Sequence, residues 1–335
     1  MTNFKSSIIF SAVLVFGALI RLLALGDYPV GFFRDEAALG YNAYSIFQTG
    51  KDEYGILLPL VFRSFEVFFL PAYVYLSAPL VGVFGLNEMS TRLLSAASGI
   101  IALTLIYLIV YELWKNKKIA LISMFVLAIS PWHIFYSRGA FEGNLALTVF
   151  CAGFLFWLKF INKGKLKFFF FSIVLFGLSM YCYQSERLVV PLFGILAIVY
   201  SFKKLLPIGR KLLLPILVVL VILIPLLFIT FTPGGYHRGL GVSIFSDQRA
   251  APGWINKEGL FINNDLYLRT KQVTALYLSY FSPRNLFSDG DYDKQRSVEK
   301  FSVFYSFMFP FLVIGLIQLI KRRTIKEKLI LTWIL

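Results

Sequence analysis

An aspartate and a glutamate stand side by side at Asp35-Glu36, at the end of the run Asp27-Tyr28-Pro29-Val30-Gly31-Phe32-Phe33-Arg34-Asp35-Glu36. Acidic pairs in loops are ordinarily solvated. This pair lies about ten residues past an apolar stretch and among aromatics, where partial desolvation would suit a carboxylate to take a proton or to hold a metal ion. Two arginines further along also have acidic neighbours. Arg138 precedes Glu142 and Asn144 in Ser130-Pro131-Trp132-His133-Ile134-Phe135-Tyr136-Ser137-Arg138-Gly139-Ala140-Phe141-Glu142-Gly143-Asn144. Arg187 closes the run Tyr181-Cys182-Tyr183-Gln184-Ser185-Glu186-Arg187. A guanidinium stays charged and grips phosphate oxygens through paired donors; the alternative is a long side chain that only reaches for the interface. Arg92, in Met89-Ser90-Thr91-Arg92-Leu93-Leu94-Ser95, is a third arginine of this kind. The two histidines, His133 and His237, are isolated, and such residues near helix ends are more often structural than ligating.

The elements that must position these residues are membrane helices. Of 335 residues, 58% are hydrophobic and 15% charged, and the mean hydropathy is +0.73; a soluble domain keeps about a quarter of its residues charged. Apolar runs of roughly 20 residues, enough to cross the hydrocarbon, fall at about 8–25, 92–113, 119–135, 144–160, 167–183, 188–202, 211–231 and 299–320. Another begins at 329, so the sequence is expected to be C-terminally incomplete. One transmembrane domain over 1–335 is predicted, all-α and polytopic. Lys5, the apolar stretch from Ile8, and the small residues Ala24 and Gly26 resemble a signal peptide. The stretch is long for one, and Arg21 interrupts its end, which favours an uncleaved first helix. The net charge of +15 sits in short clusters between apolar runs, with no basic face carrying stacking aromatics, so nucleic acid is not expected as a partner. Cys151 and Cys182 lie in apolar spans without metal-ligand spacing and read as packing residues.

Charge parity then sorts the loops. Lys5, Lys115 to Lys118, Lys159 to Lys167, Lys203 to Lys211 and Lys321 to Lys328 are placed inside by the positive-inside rule. An even number of crossings must separate Lys5 from Lys115, so the apolar run 66–86, which carries Glu66, Pro71 and Pro79, is read as a juxtamembrane or re-entrant element. The outer segments become 26–91, 136–143, 184–187 and 232–298. They hold nearly all the unusual polar residues. The last contains His237, Arg238, Arg249, Asp265 and Arg269 and the outline of an amphipathic helix around Leu266 to Tyr280; its chemistry is not readable from the sequence.

Asp35-Glu36 after the first helix resembles the signature of the GT-C superfamily of lipid-linked glycosyltransferases. Gly50-Lys51-Asp52-Glu53-Tyr54-Gly55, the segment Pro71 to Gly85, Arg92-Leu93-Leu94-Ser95 and Ser130 to Asn144 are also similar to it. The nearest branch is that of the protein O-mannosyltransferases and aminoarabinose transferases, and the resemblance covers roughly residues 10–200. It implies a GT-C-like helical bundle whose first extracytoplasmic loop carries juxtamembrane helices. It also implies inverting transfer from a polyprenyl-phosphate sugar to a hydroxyl or phosphate of an acceptor protein, lipid or saccharide. Carried over, Asp35 is the candidate base and Glu36 its catalytic neighbour. Arg138, Arg187 and Arg92 would hold the donor phosphate, and Glu142, Asn144, Tyr183 and Glu186 would contact substrate. No cofactor is assigned, and a divalent metal stays open because Glu142 stands near, but not at, the spacing of a second acid that some relatives use. The expected location is a prokaryotic cytoplasmic membrane, among membrane lipids, with the site on the extracytoplasmic face. The rival classes are a transporter or lipid or oligosaccharide flippase, which would need ionisable groups or broken helices at mid-membrane, and a scaffold without activity. The spans hold almost no ionisable residue at mid-depth.

Overall fold

The computed structural model describes residues 2–64, 67–231, 265–289, 302–322 and 324–334. The N-terminal helix α1 (Thr2–Leu22) leads into α2 (Arg34–Thr49). A short antiparallel hairpin, β1 (Phe62–Ser64) and β2 (Val67–Phe69), sets Phe62 opposite Phe69. Then come α3 (Pro71–Phe84), α4 (Glu88–Trp114), α5 (Lys117–Ile129), α6 (Pro131–Arg138), α7 (Glu142–Lys163) and α8 (Leu166–Ser179). The chain continues through α9 (Glu186–Leu205), a 3-10 turn (Leu206–Leu212) and α10 (Leu213–Phe231). The later described elements are α11 (Asp265–Tyr280), α12 (Pro283–Phe287), α13 (Phe309–Arg322) and α14 (Ile325–Ile334). His237, Arg238 and Arg249 lie outside the described residues.

Among the described residues, Phe4–Leu22, Glu88–Trp114, Glu142–Lys163 and the run Glu186–Ile229 are long and apolar enough to cross a membrane, and the chain is an integral membrane protein. The last run has 44 residues, about 66 Å at 1.5 Å per residue and roughly twice the hydrocarbon thickness. It is broken at Gly209, whose φ of 53° and ψ of −126° are not helical. The predicted helix 119–135 is also not continuous. It divides into α5 and α6, bent by 60°, because Pro131 has no N–H to continue the ladder and Ser130 takes the extended backbone that a following proline favours. The segment 66–86 contains the second hairpin strand and α3, with Pro71 at the first turn of that helix, where a missing N–H costs nothing.

Helix α4 is the hub, with α1, α3, α5, α6 and α7 packed around it. Asn87 caps its start by accepting from Ser90 N at 2.9 Å. Two glycines let backbones approach closely. A Cβ on Gly99 would stand 2.1 Å from Ser137 Oγ, and one on Gly40 would stand 2.5 Å from Thr91 Oγ1, so α6 and α2 can lie directly against α4. At one end of the bundle Leu39, Ala43, Phe62, Tyr73 and Val74 are buried together, and Tyr73 donates to Thr91 O at 2.9 Å. Deeper in the bundle, Phe150, Phe154, Trp157, Phe176 and Phe193 pack ring against ring.

Candidate active site

The first turn of α2 presents Arg34, Asp35 and Glu36. Two acids there meet the unbonded N–H groups and the positive end of the helix dipole. Adjacent positions point about 100° apart around the axis, so they meet different surroundings. Glu36 turns inward, 5% exposed. Its Oε2 accepts from Phe33 N at 3.2 Å and its Oε1 from Ala140 N at 2.7 Å. Arg92 of α4, wholly buried, closes a two-pronged ion pair on it. Nε donates to Oε1 and Nη2 to Oε2, each at 3.0 Å. The remaining donors go to backbone: Nη1 to Leu25 O (3.2 Å), Gly26 O (3.3 Å) and Pro29 O (3.2 Å), and Nη2 to Gly31 O (2.6 Å). Glu36 and Arg92 thus bind the 25–31 turn, α2, α4 and the α6–α7 link into one unit. Arg92 therefore has every donor engaged, and Glu36 is the paired, buried member of the dipeptide.

Arg138 also donates to backbone carbonyls. Its Nη1 donates to Ile20 O at 2.6 Å, and its Nη2 donates to Leu23 O and Ala24 O at 2.9 Å and to Tyr28 O at 3.0 Å. These are carbonyls at the end of α1 and the turn beyond it, where a helix leaves acceptors open; Ala24 O also accepts from Asp27 N and Tyr28 N. Arg21, absent from the sequence-based candidates, does the same for the bend. It donates to Gly17 O (2.9 Å), Ala128 O (3.2 Å), Leu127 O (3.3 Å), Ser137 Oγ (3.3 Å) and His133 Nδ1 (2.8 Å). His133 is completely buried there. Gly50 to Gly55 form a turn fastened to α2: Asn42 donates to Glu53 Oε1 at 3.0 Å and accepts from Glu53 N at 3.1 Å.

Above this framework lies a cavity of about 370 Å³. Asp35 enters it from α2, Trp132 and Tyr136 from α6, Glu142 and Asn144 from α7, and Tyr183 and Glu186 from the turn into α9. Five sequence-predicted residues (Asp35, Glu142, Asn144, Tyr183 and Glu186) therefore share one space, with Glu36 at its edge. Arg187, next to Glu186, is not among the lining residues. The Asp35 side chain is 40% exposed and lies 3.7 Å from Arg34 Nε. Arg34 itself rests over the Phe33 ring, 5.7 Å from its centroid. Sequence reading passed over Arg34, although its adjacency to Asp35 was a usable signal. Asn144 donates through Nδ2 to Ser95 O at 2.8 Å and Ser95 Oγ at 3.2 Å. Among the described residues no three His, Cys, Asp or Glu side chains form a group that could hold a metal ion.

Residues 71–229 match the family described as dolichyl-phosphate-mannose-protein mannosyltransferase. No curated protein matches the chain. Among solved structures, the fold is similar to that of ArnT from Cupriavidus metallidurans in the apo state (14% identity, TM-score 0.55), covering 98% of this chain and 53% of that one. It is also similar to archaeal oligosaccharyltransferase AglB from Archaeoglobus fulgidus in complex with an inhibitory peptide and a dolichol-phosphate (13% identity, TM-score 0.54; 98% and 46% covered). A further Archaeoglobus fulgidus oligosaccharyltransferase structure contains Zn and sulfate (15% identity, TM-score 0.52; 96% and 45% covered). The chain spans about half the length of these proteins. At these identities the likeness is one of fold.

Proposed function

We propose that this chain carries the site of a glycosyltransferase that moves a sugar from a polyprenyl-phosphate carrier to an acceptor on the extracytoplasmic face of a membrane. The observation that carries the reading is the division of labour within one dipeptide: Glu36 is buried and neutralised by Arg92, whereas Asp35 enters the cavity with a partly exposed carboxylate. The family description and the GT-C fold add support. In this mechanism an acceptor hydroxyl attacks the anomeric carbon and passes its proton to Asp35. The bond from that carbon to the carrier phosphate breaks on the opposite face, so the configuration inverts. Negative charge builds on the leaving phosphate, and one well-placed cationic donor there is worth roughly 3–4 kcal/mol. Arg187, adjacent to the cavity-lining Glu186, is assigned this role, while Arg34 lies beside the Asp35 carboxylate.

The test is transfer of radiolabelled sugar from polyprenyl-phosphate donors into membrane extract by the purified protein. Wild type is expected to label a product that identifies the acceptor as protein, lipid or saccharide. Asp35→Asn should lose transfer by at least about a hundredfold while binding the carrier as before. Turnover retained by Asp35→Asn would remove Asp35 as the base.

A further inference from the structure

Away from the cavity, positive charge is gathered where α7 turns into α8. Helix α7 is long and apolar enough to cross a membrane. Its 22 residues run roughly 33 Å at 1.5 Å per residue. Lys163 at its end therefore stands a hydrocarbon thickness from the cavity-lining Glu142 at its start. Gly164, in the left-handed region at φ 66°, reverses the chain. Phe156 of α7 and Phe168 of α8 then meet with ring centroids 6.3 Å apart. Three ammonium groups sit over this ring pair. Lys159 Nζ is 5.1 Å from the Phe156 centroid, and Lys163 Nζ and Lys167 Nζ are 5.5 and 5.4 Å from that of Phe168. Among the described residues none of the three forms an ion pair. Glu112, on the neighbouring α4, is engaged by Lys115 and Asn162. Lys159 and Lys163 stand one turn apart on one face of α7, where like charges repel. The helix dipole favours Lys163, in the last turn of α7, but not Lys167, in the first turn of α8. Loop charge that only orients a chain in the membrane needs no such gathering.

We infer that Lys159, Lys163 and Lys167 form a binding site for the phosphate of an anionic phospholipid headgroup. Each ammonium brings three donors and no acceptor, and a phosphate supplies both the acceptors and the negative charge that this cluster lacks. Phe168 holds two of the ammonium groups near one another by cation–π attraction. The ligand is a lipid rather than a soluble anion because α7 ends at the membrane boundary, where headgroups are the anions at hand. A lysine near an anionic lipid surface strengthens binding roughly fivefold. The site is remote from the cavity and does not depend on the transferase reading.

The experiment measures lipid preference. The full chain in neutral detergent micelles is titrated with fluorescent phosphatidylglycerol and with phosphatidylcholine bearing the same acyl chains and label. Wild type should bind phosphatidylglycerol at least about tenfold more tightly. Lys159→Gln/Lys163→Gln/Lys167→Gln should cut that preference to below about threefold. Lys118→Gln/Lys321→Gln/Lys326→Gln removes the same charge from other basic links and should keep the preference. Phe168→Leu leaves every charge in place and should lower it by at least about twofold. Equal binding of the two lipids by wild type, equal losses in the two triple variants, or an unchanged preference in Phe168→Leu would overturn the site. Displacement of phosphatidylglycerol by millimolar inorganic phosphate, where chloride of equal ionic strength leaves it bound, would overturn the assignment to a lipid. If the first triple variant loses its thermal midpoint, Lys163→Gln and Lys167→Gln singly carry the test. Each should weaken phosphatidylglycerol roughly fivefold and leave phosphatidylcholine unchanged, and no weakening in either overturns the site.

Discussion

The two ends of α4 each carry an acid tied to a base, and the ties are built on opposite terms. At the cavity end, Glu36 and Arg92 are both buried and every donor of Arg92 is used. At the other end, Glu112 meets Lys115 at 2.7 Å, but the lysine side chain is 51% exposed. There Asn162 of α7 supports Glu112, donating to its Oε1 at 2.8 Å and its backbone carbonyl at 3.1 Å. About 30 Å of helix separates the two. This tie is half-exposed: Glu112 is buried, but water could replace the lysine. The buried tie fixes the relative placement of four chain segments around a cavity, where water cannot. A buried ion pair is poor evidence for stability gained, since desolvation offsets most of the attraction. Its consequence is that neither partner can be removed alone.

That contrast sets the order of expected effects. Arg92→Met leaves Glu36 charged and buried and should cost about 3–5 kcal/mol, read as a large fall in thermal midpoint or loss of monodisperse protein in detergent. Adding Glu36→Leu should recover part of the loss; no recovery would mean that the arginine matters for its backbone contacts alone. Arg138→Ala removes a side-chain donor from the carbonyls of Ile20, Leu23 and Tyr28, while Ala24 O keeps the N–H groups of Asp27 and Tyr28, and should cost roughly 1–3 kcal/mol. An unchanged midpoint would show that water serves the end of α1 equally well. Lys115→Ala should cost at most about 1 kcal/mol and less in high salt, and a larger loss would erase the distinction between the two ends. Asp35→Asn should shift stability by less than about 0.5 kcal/mol, so its effect is confined to chemistry.

The membrane class and the long helices α4 and α7 were legible because they rest on apolar runs. The shared location of Asp35, Glu142, Asn144, Tyr183 and Glu186 followed from taking the unusual polar residues as one set. The roles of Arg92, Arg138 and Arg21 were hidden, because their partners are mostly backbone carbonyls, which every residue owns and no motif records. Asp35 and Glu36 were indistinguishable in sequence for a related reason. They differ by one step around α2, and only packing against α4 decides which of them is buried. The bend at Ser130-Pro131 did carry a signal, the proline itself, but hydropathy continues across it and masks the break. Arg34 was overlooked because its neighbour's carboxylate drew the chemistry.

The clasp around Arg21 also bears on how the chain is made. Its acceptors on α5 and α6 lie 106 to 116 residues further along, so at ordinary rates of synthesis roughly 5–20 s pass before they exist. During that interval α1 carries a guanidinium whose distant partners are still unmade, and its position near the helix end lets it reach the aqueous boundary meanwhile. Docking of the first helix is therefore a late event in biogenesis, completed only when the Ser130-Pro131 bend emerges. A substitution at His133 or Ser137, whose side chains Arg21 meets, would act on the docking of a segment synthesised long before it.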